Sequence, residues 1–346
     1  MTDIFPISLS VALILIFFDK FLTKIGIRNL RSSPQTLHKK SVSRFGGLAL
    51  FISLFVISFS SQDAEYEFLR QVLLCTSPVF IVGLVDDMQI SISPLTRLLV
   101  LIPSAFLCYY FLGTKAENLE IPFIDYLFQF EVFSIIFICF ALAGIINAFN
   151  ILDGMNGLLL LFCLSICLSI IIFPQSAVSL EFYFYLVAIF FSILGIFVLN
   201  FPWGRIFLGD GGAYFLGATV TVGLIKYYQI NDLSPWYVFL MLIYPIADVF
   251  FSIFRRIISN YSALKPDNKH LHHLIYKRLK KINIQSEKLR HVLVTFSTFI
   301  IYFPFLLGAN YFSSDTLVLQ LLSLIFFIFY LFLYLILAPR DFFYRS

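Results

Sequence analysis

Two aspartates stand side by side in Gly83-Leu84-Val85-Asp86-Asp87, at the end of an apolar run. Adjacent carboxylates repel unless a cation or a proton lies between them, which suits a divalent metal or a general base as well as an ordinary solvated helix end. A second group, Asn147-Ala148-Phe149-Asn150-Ile151-Leu152-Asp153-Gly154-Met155-Asn156-Gly157, puts three amides, a carboxylate and two glycines into one short link. Amides can hydrogen-bond a nucleobase or ribose, and the carboxylate can hold a metal. Turn chemistry accounts for the glycines but not for the whole set. A third, Phe207-Leu208-Gly209-Asp210-Gly211-Gly212, precedes another apolar run. Glycines at a helix start let backbone N–H groups approach an anion, with the helix dipole assisting, so a diphosphate and its metal suit it; a plain reversal between helices has the same composition. The fourth is Pro266-Asp267-Asn268-Lys269-His270-Leu271-His272-His273, with three histidines in four residues. Neighbouring histidines on a helix point in different directions, and zinc sites of soluble hydrolases use wider spacing. Phosphate binding by imidazole and lysine agrees better with the other three groups.

The elements that must position these groups are apolar and long. The chain of 346 residues is 60% hydrophobic and 13% charged, with mean hydropathy +0.92 and 44 phenylalanines. A soluble domain is nearer half apolar and a quarter charged, so lipid is the expected solvent. A helix needs about 20 mostly apolar residues to span a bilayer. By that criterion about eleven spans are expected, at 4–22, 45–61, 71–86, 95–113, 131–149, 156–174, 181–199, 212–229, 236–254, 290–311 and 316–338. The first run has no basic stretch before it and no small-residue cleavage site after it, so it reads as a span. The five cysteines (Cys75, Cys108, Cys139, Cys163, Cys167) all lie in apolar runs without paired spacing and read as reduced packing residues.

The net charge of +4 matters less than its placement. Lysines and arginines gather in 23–44 and 255–290, with Arg340 and Arg345 in the tail. Basic loops face the cytoplasm. The expected fold is therefore an all-α polytopic membrane protein, one domain over 1–346, with the N-terminus outside and the C-terminus cytoplasmic. Its expected cytoplasmic loops are about 23–44, 86–95, 149–156, 200–211 and 255–290. All four polar groups fall at that face, where polar residues in a membrane chain tend to mark function.

In this order and on these helix ends, the four groups resemble the polyprenyl-phosphate N-acetylhexosamine-1-phosphate transferase family (glycosyltransferase 4). That family includes the phospho-MurNAc-pentapeptide translocase and the enzymes that start O-antigen, enterobacterial common antigen and teichoic acid synthesis. The resemblance runs from about residue 38 to 278, and Arg44-Phe45-Gly46-Gly47, Pro245-Ile246-Ala247-Asp248 and Arg255-Arg256 match as well. It implies a magnesium-dependent transfer, with manganese as a substitute, in which a polyprenyl (undecaprenyl) phosphate attacks the β-phosphorus of a UDP-sugar and UMP leaves. It implies Asp210 as the main metal ligand, with Asp153 and Asp87 beside the metal or diphosphate, and Asp86 as the base on the lipid phosphate or a nucleophile in a two-step route. It further implies pyrophosphate or sugar binding by His270, His272 and His273, nucleotide contacts from Asn147 and Asn150, and substrate-binding places for Asn156, Arg44 and Arg255, with Asp248 orienting Arg255 or Arg256. Phosphoryl transfer asks for alignment and charge neutralisation, which these residue types supply.

The chain departs from the family pattern at Asn156, where many members carry aspartate, at Ser43 in place of proline, and at Arg97, the one base where two are common. His270-Leu271-His272-His273 differs from the translocase's consecutive histidines ending in Phe-Glu and resembles the branch that transfers GlcNAc-1-phosphate to undecaprenyl phosphate. The expected setting is the inner (plasma) membrane, at the first step of a surface polysaccharide pathway. The alternatives carried are the peptidoglycan translocase reaction and, from another class, a transporter; nucleic acid is not an expected partner, and a homodimer is left open. Substitution of His272 or His273 is expected to affect chemistry with little effect on stability, and His291, outside the motif, is expected to tolerate Gln.

Overall fold

A computed structural model describes residues 4–24, 42–60, 63–88, 93–174, 178–258 and 269–338. Fourteen α-helices occur among them: α1 (Ile4–Lys24), α2 (Gly46–Ser60), α3 (Glu67–Asp87), α4 (Pro94–Phe111), α5 (Pro122–Asp125), α6 (Glu131–Leu152), α7 (Leu158–Ile172), α8 (Leu180–Asn200), α9 (Gly209–Ile230), α10 (Pro235–Met241), α11 (Ile243–Ile258), α12 (Leu271–Lys281), α13 (Glu287–Tyr311) and α14 (Thr316–Leu337). No strand occurs among the described residues beyond one isolated parallel bridge, Ser43 with Ile206. Several helices start where an oxygen-bearing side chain can accept an orphan N–H. Ser93 accepts from Thr96 ahead of Pro94, Ser179 from Phe182, Ser286 from Leu289 and Asp315 from Val318.

Each of the eleven apolar segments coincides with helix, though not always with one helix. By length and composition six helices among the described residues can cross a membrane: those at 4–21, 64–87, 131–152, 180–200, 287–311 and 316–337. A seventh is the pair α10 and α11, which meet at a 75° bend. The helices at 46–60, 99–111 and 158–172 are apolar but shorter. The segment 236–254 reads as one continuous span, and the bend corrects that. Pro245 has no N–H to give the carbonyl of Met241, four residues back, and its ring crowds that carbonyl. The Tyr302 hydroxyl on α13 donates to Met241 O instead, at 2.7 Å, so the broken backbone is satisfied without water. Loop boundaries also shift. The stretch 255–290 holds the end of α11 and all of α12, and α6 continues through Leu152. Lys39, Lys40, the Pro266-Asp267-Asn268 part of the histidine motif, and Arg340 and Arg345 lie outside the described residues.

Helix α9 is buried along almost its whole length and packs against α2, α3 and α6. Its start is wedged where only glycine fits. A Cβ on Gly83 would collide with the Gly211 backbone, and one on Gly47 with that of Gly212. Gly209 has φ +80° and lies against the Asp87 carboxylate, which a side chain would strike. The N-termini of α2 and α9 and the C-terminus of α3 are thereby drawn to one end of the bundle.

Candidate active site

Three carboxylates and two guanidiniums meet at that end. Asp87 is buried, and its carboxylate accepts from the backbone N–H groups of Asp210 and Gly211, both at 2.9 Å. Arg44, just before α2, reaches Asp87 at 3.3 Å and Asp210 at 3.2 Å. Arg97, one turn into α4, lies 2.8 Å from Asp86 and 4.0 Å from Asp210. Each arginine thus bridges two acids, and the five formal charges sum to one negative. The surrounding carboxylates hold the Arg44 guanidinium above its ordinary pKa against the opposing effect of burial. Asp87 acts as an N-terminal cap supplied from another helix, placing negative charge where the α9 dipole is positive. Removing it strands two N–H groups, so Asp87→Ala should destabilise the fold by about 1.5–3 kcal/mol, the usual worth of hydrogen bonds to a charged group. Asp87→Asn, which keeps one acceptor oxygen, should cost less. Thermal melting in detergent of both variants checks the order.

The link after α6 approaches the same place. Asn147, Asn150 and Asp153 recur every three residues and so share one face at the end of α6. Burial among the helix ends pushes the Asp153 carboxyl up to about 8, with the Arg44 guanidinium pulling the other way. The main chain beyond it is held from two sides. Asn200, ending α8, accepts from Gly157 N–H at 2.6 Å and donates to Ile206 O at 2.7 Å. From α13, Thr295 donates to Asn156 O at 2.8 Å, and His291 Nδ1 accepts from Asn156 N–H at 3.4 Å. Asn156, expected to meet substrate, is buried with its side chain beside Gly204. His291 is likewise buried and packs against Tyr276, ring centroids 5.3 Å apart and planes tilted by 56°. It is a structural pin, not the neutral outsider that its position beyond the motif suggests. His291→Gln should cost about 1–3 kcal/mol, the penalty for an unsatisfied buried N–H, seen as a lowered melting temperature.

The histidines close the site on its remaining side. His270 Nδ1 lies 2.8 Å from Asp248, which also accepts from Leu271 N–H at 3.2 Å and from the Tyr330 hydroxyl of α14. Tyr334 donates to Lys269 O at 2.9 Å. Asp248 therefore orients the histidine segment, where the sequence reading gives it to Arg255 or Arg256. Arg255 is buried on α11 and bonds Ser252 at 3.3 Å. His273 reaches back to the α6 link, for a Cβ on Gly154 would lie 3.4 Å from its Nε2. Burial pushes His272 down to about 4 and His273 to about 2. Both are neutral imidazoles at physiological pH. His272 is fully buried with neither ring nitrogen hydrogen-bonded, and Nδ1 of His273 is in the same condition, among the described residues. Such groups are costly unless a polar partner meets them.

A divalent cation fits this donor set in one way. Asp210, Asp153 and Asp87 do not form a ready three-ligand cage: among the described residues no three of His, Cys, Asp or Glu are grouped to hold an ion. Magnesium takes one or two carboxylates and completes its shell with phosphate oxygens and water. Asp210, the partly open carboxylate that both arginines share, suits that role, and the crowded acids supply hard oxygen donors without thiols. Arg97 and Asn200 were the residues least visible beforehand. The signal for Arg97 is that it is the one base between Arg70 and Lys115, at the head of an apolar helix; for Asn200 it is a lone amide ending an apolar run.

The glycosyl transferase family 4 model matches residues 69–228, which contain the acidic positions and the three asparagines but neither Arg44 nor the histidines. Three relatives extend the similarity. The undecaprenyl-phosphate alpha-N-acetylglucosaminyl 1-phosphate transferase of Thermotoga maritima is 27% identical over 251 residues, covering 72% of this chain and 74% of the relative. A probable undecaprenyl-phosphate N-acetylglucosaminyl 1-phosphate transferase of Bacillus subtilis is 25% identical over 317 residues, covering 90% and 85%. The undecaprenyl-phosphate alpha-N-acetylglucosaminyl 1-phosphate transferase of Escherichia coli K12 is 26% identical over 284 residues, covering 80% and 76%.

Proposed function

We propose that the chain is a member of glycosyl transferase family 4, whose model matches residues 69–228, and that it transfers N-acetylglucosamine 1-phosphate from UDP-N-acetylglucosamine to undecaprenyl phosphate, releasing UMP. The observation that carries this reading is the meeting of Asp86, Asp87 and Asp210 with Arg44 and Arg97 at one end of an apolar helical bundle. Phosphoryl transfer needs reacting groups aligned and charge neutralised, and it needs little covalent chemistry from the protein. An oxygen of the lipid phosphate bonds to the β-phosphorus as the bond to the bridging oxygen breaks, and that oxygen leaves with UMP. Magnesium, or manganese in its place, would be held by Asp210 with Asp153 nearby and would neutralise the diphosphate. Arg44 and Arg97 fix the carboxylates and offset charge at the same oxygens. Asp86, held by Arg97 at 2.8 Å, would accept the proton of the lipid phosphate. His270, oriented by Asp248, and neutral His272 and His273 face the sugar and diphosphate, and Asn147 and Asn150 the nucleoside. Asp87 serves the site through its grip on α9.

Eleven spans, with the N-terminus outside and the acidic end facing the cytoplasm of the plasma membrane, complete the reading, since a nucleotide sugar is a cytoplasmic substrate and the acceptor is a lipid. The test is a panel of UDP-GlcNAc, UDP-GalNAc and UDP-MurNAc-pentapeptide with undecaprenyl phosphate, the lipid product read by mass spectrometry. UDP-GlcNAc should give polyprenyl diphosphate-GlcNAc and UMP, chelator should stop it, and added magnesium should restore it. A lipid product only from the muramyl pentapeptide donor, or none from any donor, overturns the proposal.

A further inference from the structure

A second cationic site lies outside the acidic centre. Trp203, in the turn between α8 and α9, is exposed (53%). Arg205 sits over its indole at 5.2 Å and Lys288, near the start of α13, at 4.8 Å from the ring centroid. Neither cation has a carboxylate partner among the described residues, and both are exposed. Stacking on an aromatic face fixes a cation's position without neutralising its charge. The two positive charges therefore stay available and are held together.

What lies beside them says what they meet. Trp203 follows the end of α8 and Lys288 heads α13, two helices long and apolar enough to cross a membrane. From Lys288 an exposed apolar stripe runs along α13 through Leu289, Phe296, Ile300, Phe303 and Leu307, at helical spacing. Phe296 meets Phe201 of the Trp203 turn edge to face, centroids 5.7 Å apart. Tryptophan favours the headgroup level of a bilayer, and basic side chains there attract anionic lipid. We propose that Trp203, Arg205 and Lys288 form a binding site for an anionic phospholipid of the surrounding bilayer, its phosphate between the two cations and an acyl chain along the α13 stripe. The site rests on α8 and α13 being membrane spans and does not depend on the transfer reaction. None of its three residues is among the acids and arginines that meet at the acidic end.

Native mass spectrometry of the delipidated full chain, titrated with phosphatidylglycerol or with phosphatidylcholine of matched chains, tests this. Phosphatidylglycerol should bind more tightly. Arg205→Gln and Lys288→Gln should each weaken it about fivefold and together about thirtyfold, as expected for two cations at a lipid surface, leaving phosphatidylcholine unchanged. Trp203→Ala should also weaken it, whereas Asp210→Asn should not. Should the double variant fold poorly by melting analysis, the single variants carry the test. Equal binding of the two phospholipids, wild-type affinity in the folded cation variants, or displacement of phosphatidylglycerol by inorganic phosphate overturns the site. Undecaprenyl phosphate titrated in parallel separates the sources: cation variants that lose its binding and keep that of phosphatidylglycerol also overturn the site.

Discussion

Asp210→Asn should lower transfer by about a thousandfold or more while leaving melting temperature and membrane insertion close to wild type. The amide keeps the shape of the carboxylate and one acceptor oxygen, so the packing of the α9 start against Gly47 and Gly83 is undisturbed. What is lost is the carboxylate on which Arg44 and Arg97 converge, at 3.2 Å and 4.0 Å from its oxygens. The acidic end then goes from one formal negative charge to none, so it attracts a divalent cation less, and its best-placed oxygen donor for that cation is gone. Removing one preorganised electrostatic group costs about a hundred- to a thousandfold; losing the cation with it places the effect at the upper end. The measurement is the initial rate of UMP release at saturating magnesium. A rate within tenfold of wild type in a folded Asp210→Asn variant removes this residue from the centre of the site. Asp87→Asn separates the two kinds of role, because Asp87 is fully engaged by backbone N–H groups. Its loss should be read in stability as well as in rate.

The acids were legible because a charge is conspicuous in an apolar chain and costly there; of the eleven apolar runs, six are helices long enough to cross a membrane among the described residues, seven with the bent pair, and the length criterion does not separate these from the shorter ones. The roles were harder, for reasons the contacts make plain. Asp86 and Asp87 are neighbours in sequence but point to different partners, Arg97 and the α9 start, and only the three-dimensional placement of α4 and α9 decides which is which. His291 looked dispensable because no motif contains it, yet it contacts a main-chain N–H 135 residues away. Backbone contacts of that kind leave little trace in residue type. The bend after Met241 has a signal in Pro245, a residue that breaks a helix by lacking an N–H and crowding the carbonyl four residues back. Asp248 was assigned to arginines on its own helix, the neighbours visible in one dimension; its partners come from α12 and α14 and the residue before α12.

The histidines give the second large effect, and the structure divides what the sequence treated as equivalent. His272 is fully buried, so His272→Ala empties a packed volume and should lower the melting temperature along with the rate, contrary to the expectation of little effect on stability. His273 is only partly enclosed and lies beside Gly154 at the edge of the acidic end. His273→Ala should therefore lower transfer by about a hundredfold, the scale of one preorganised donor, with little change in melting. Because burial and its imidazole neighbours hold His273 neutral down to about pH 2, it acts as a neutral imidazole and not as a cation. The fold-loss should consequently be the same at pH 6 and pH 8, and it should fall on kcat more than on KM, as for an interaction that strengthens in the transition state. His273→Gln, which retains an N–H donor at similar reach, should recover part of the rate. A loss that grows from pH 6 to pH 8 is not expected for a group neutral at both, whereas a loss that shrinks over that range would identify a protonated imidazolium as the working form and contradict the burial argument. Wild-type rates for His273→Ala at both pH values would take the residue out of the chemistry and leave His270, fixed by Asp248, which Tyr330 holds in turn, as the histidine to test next.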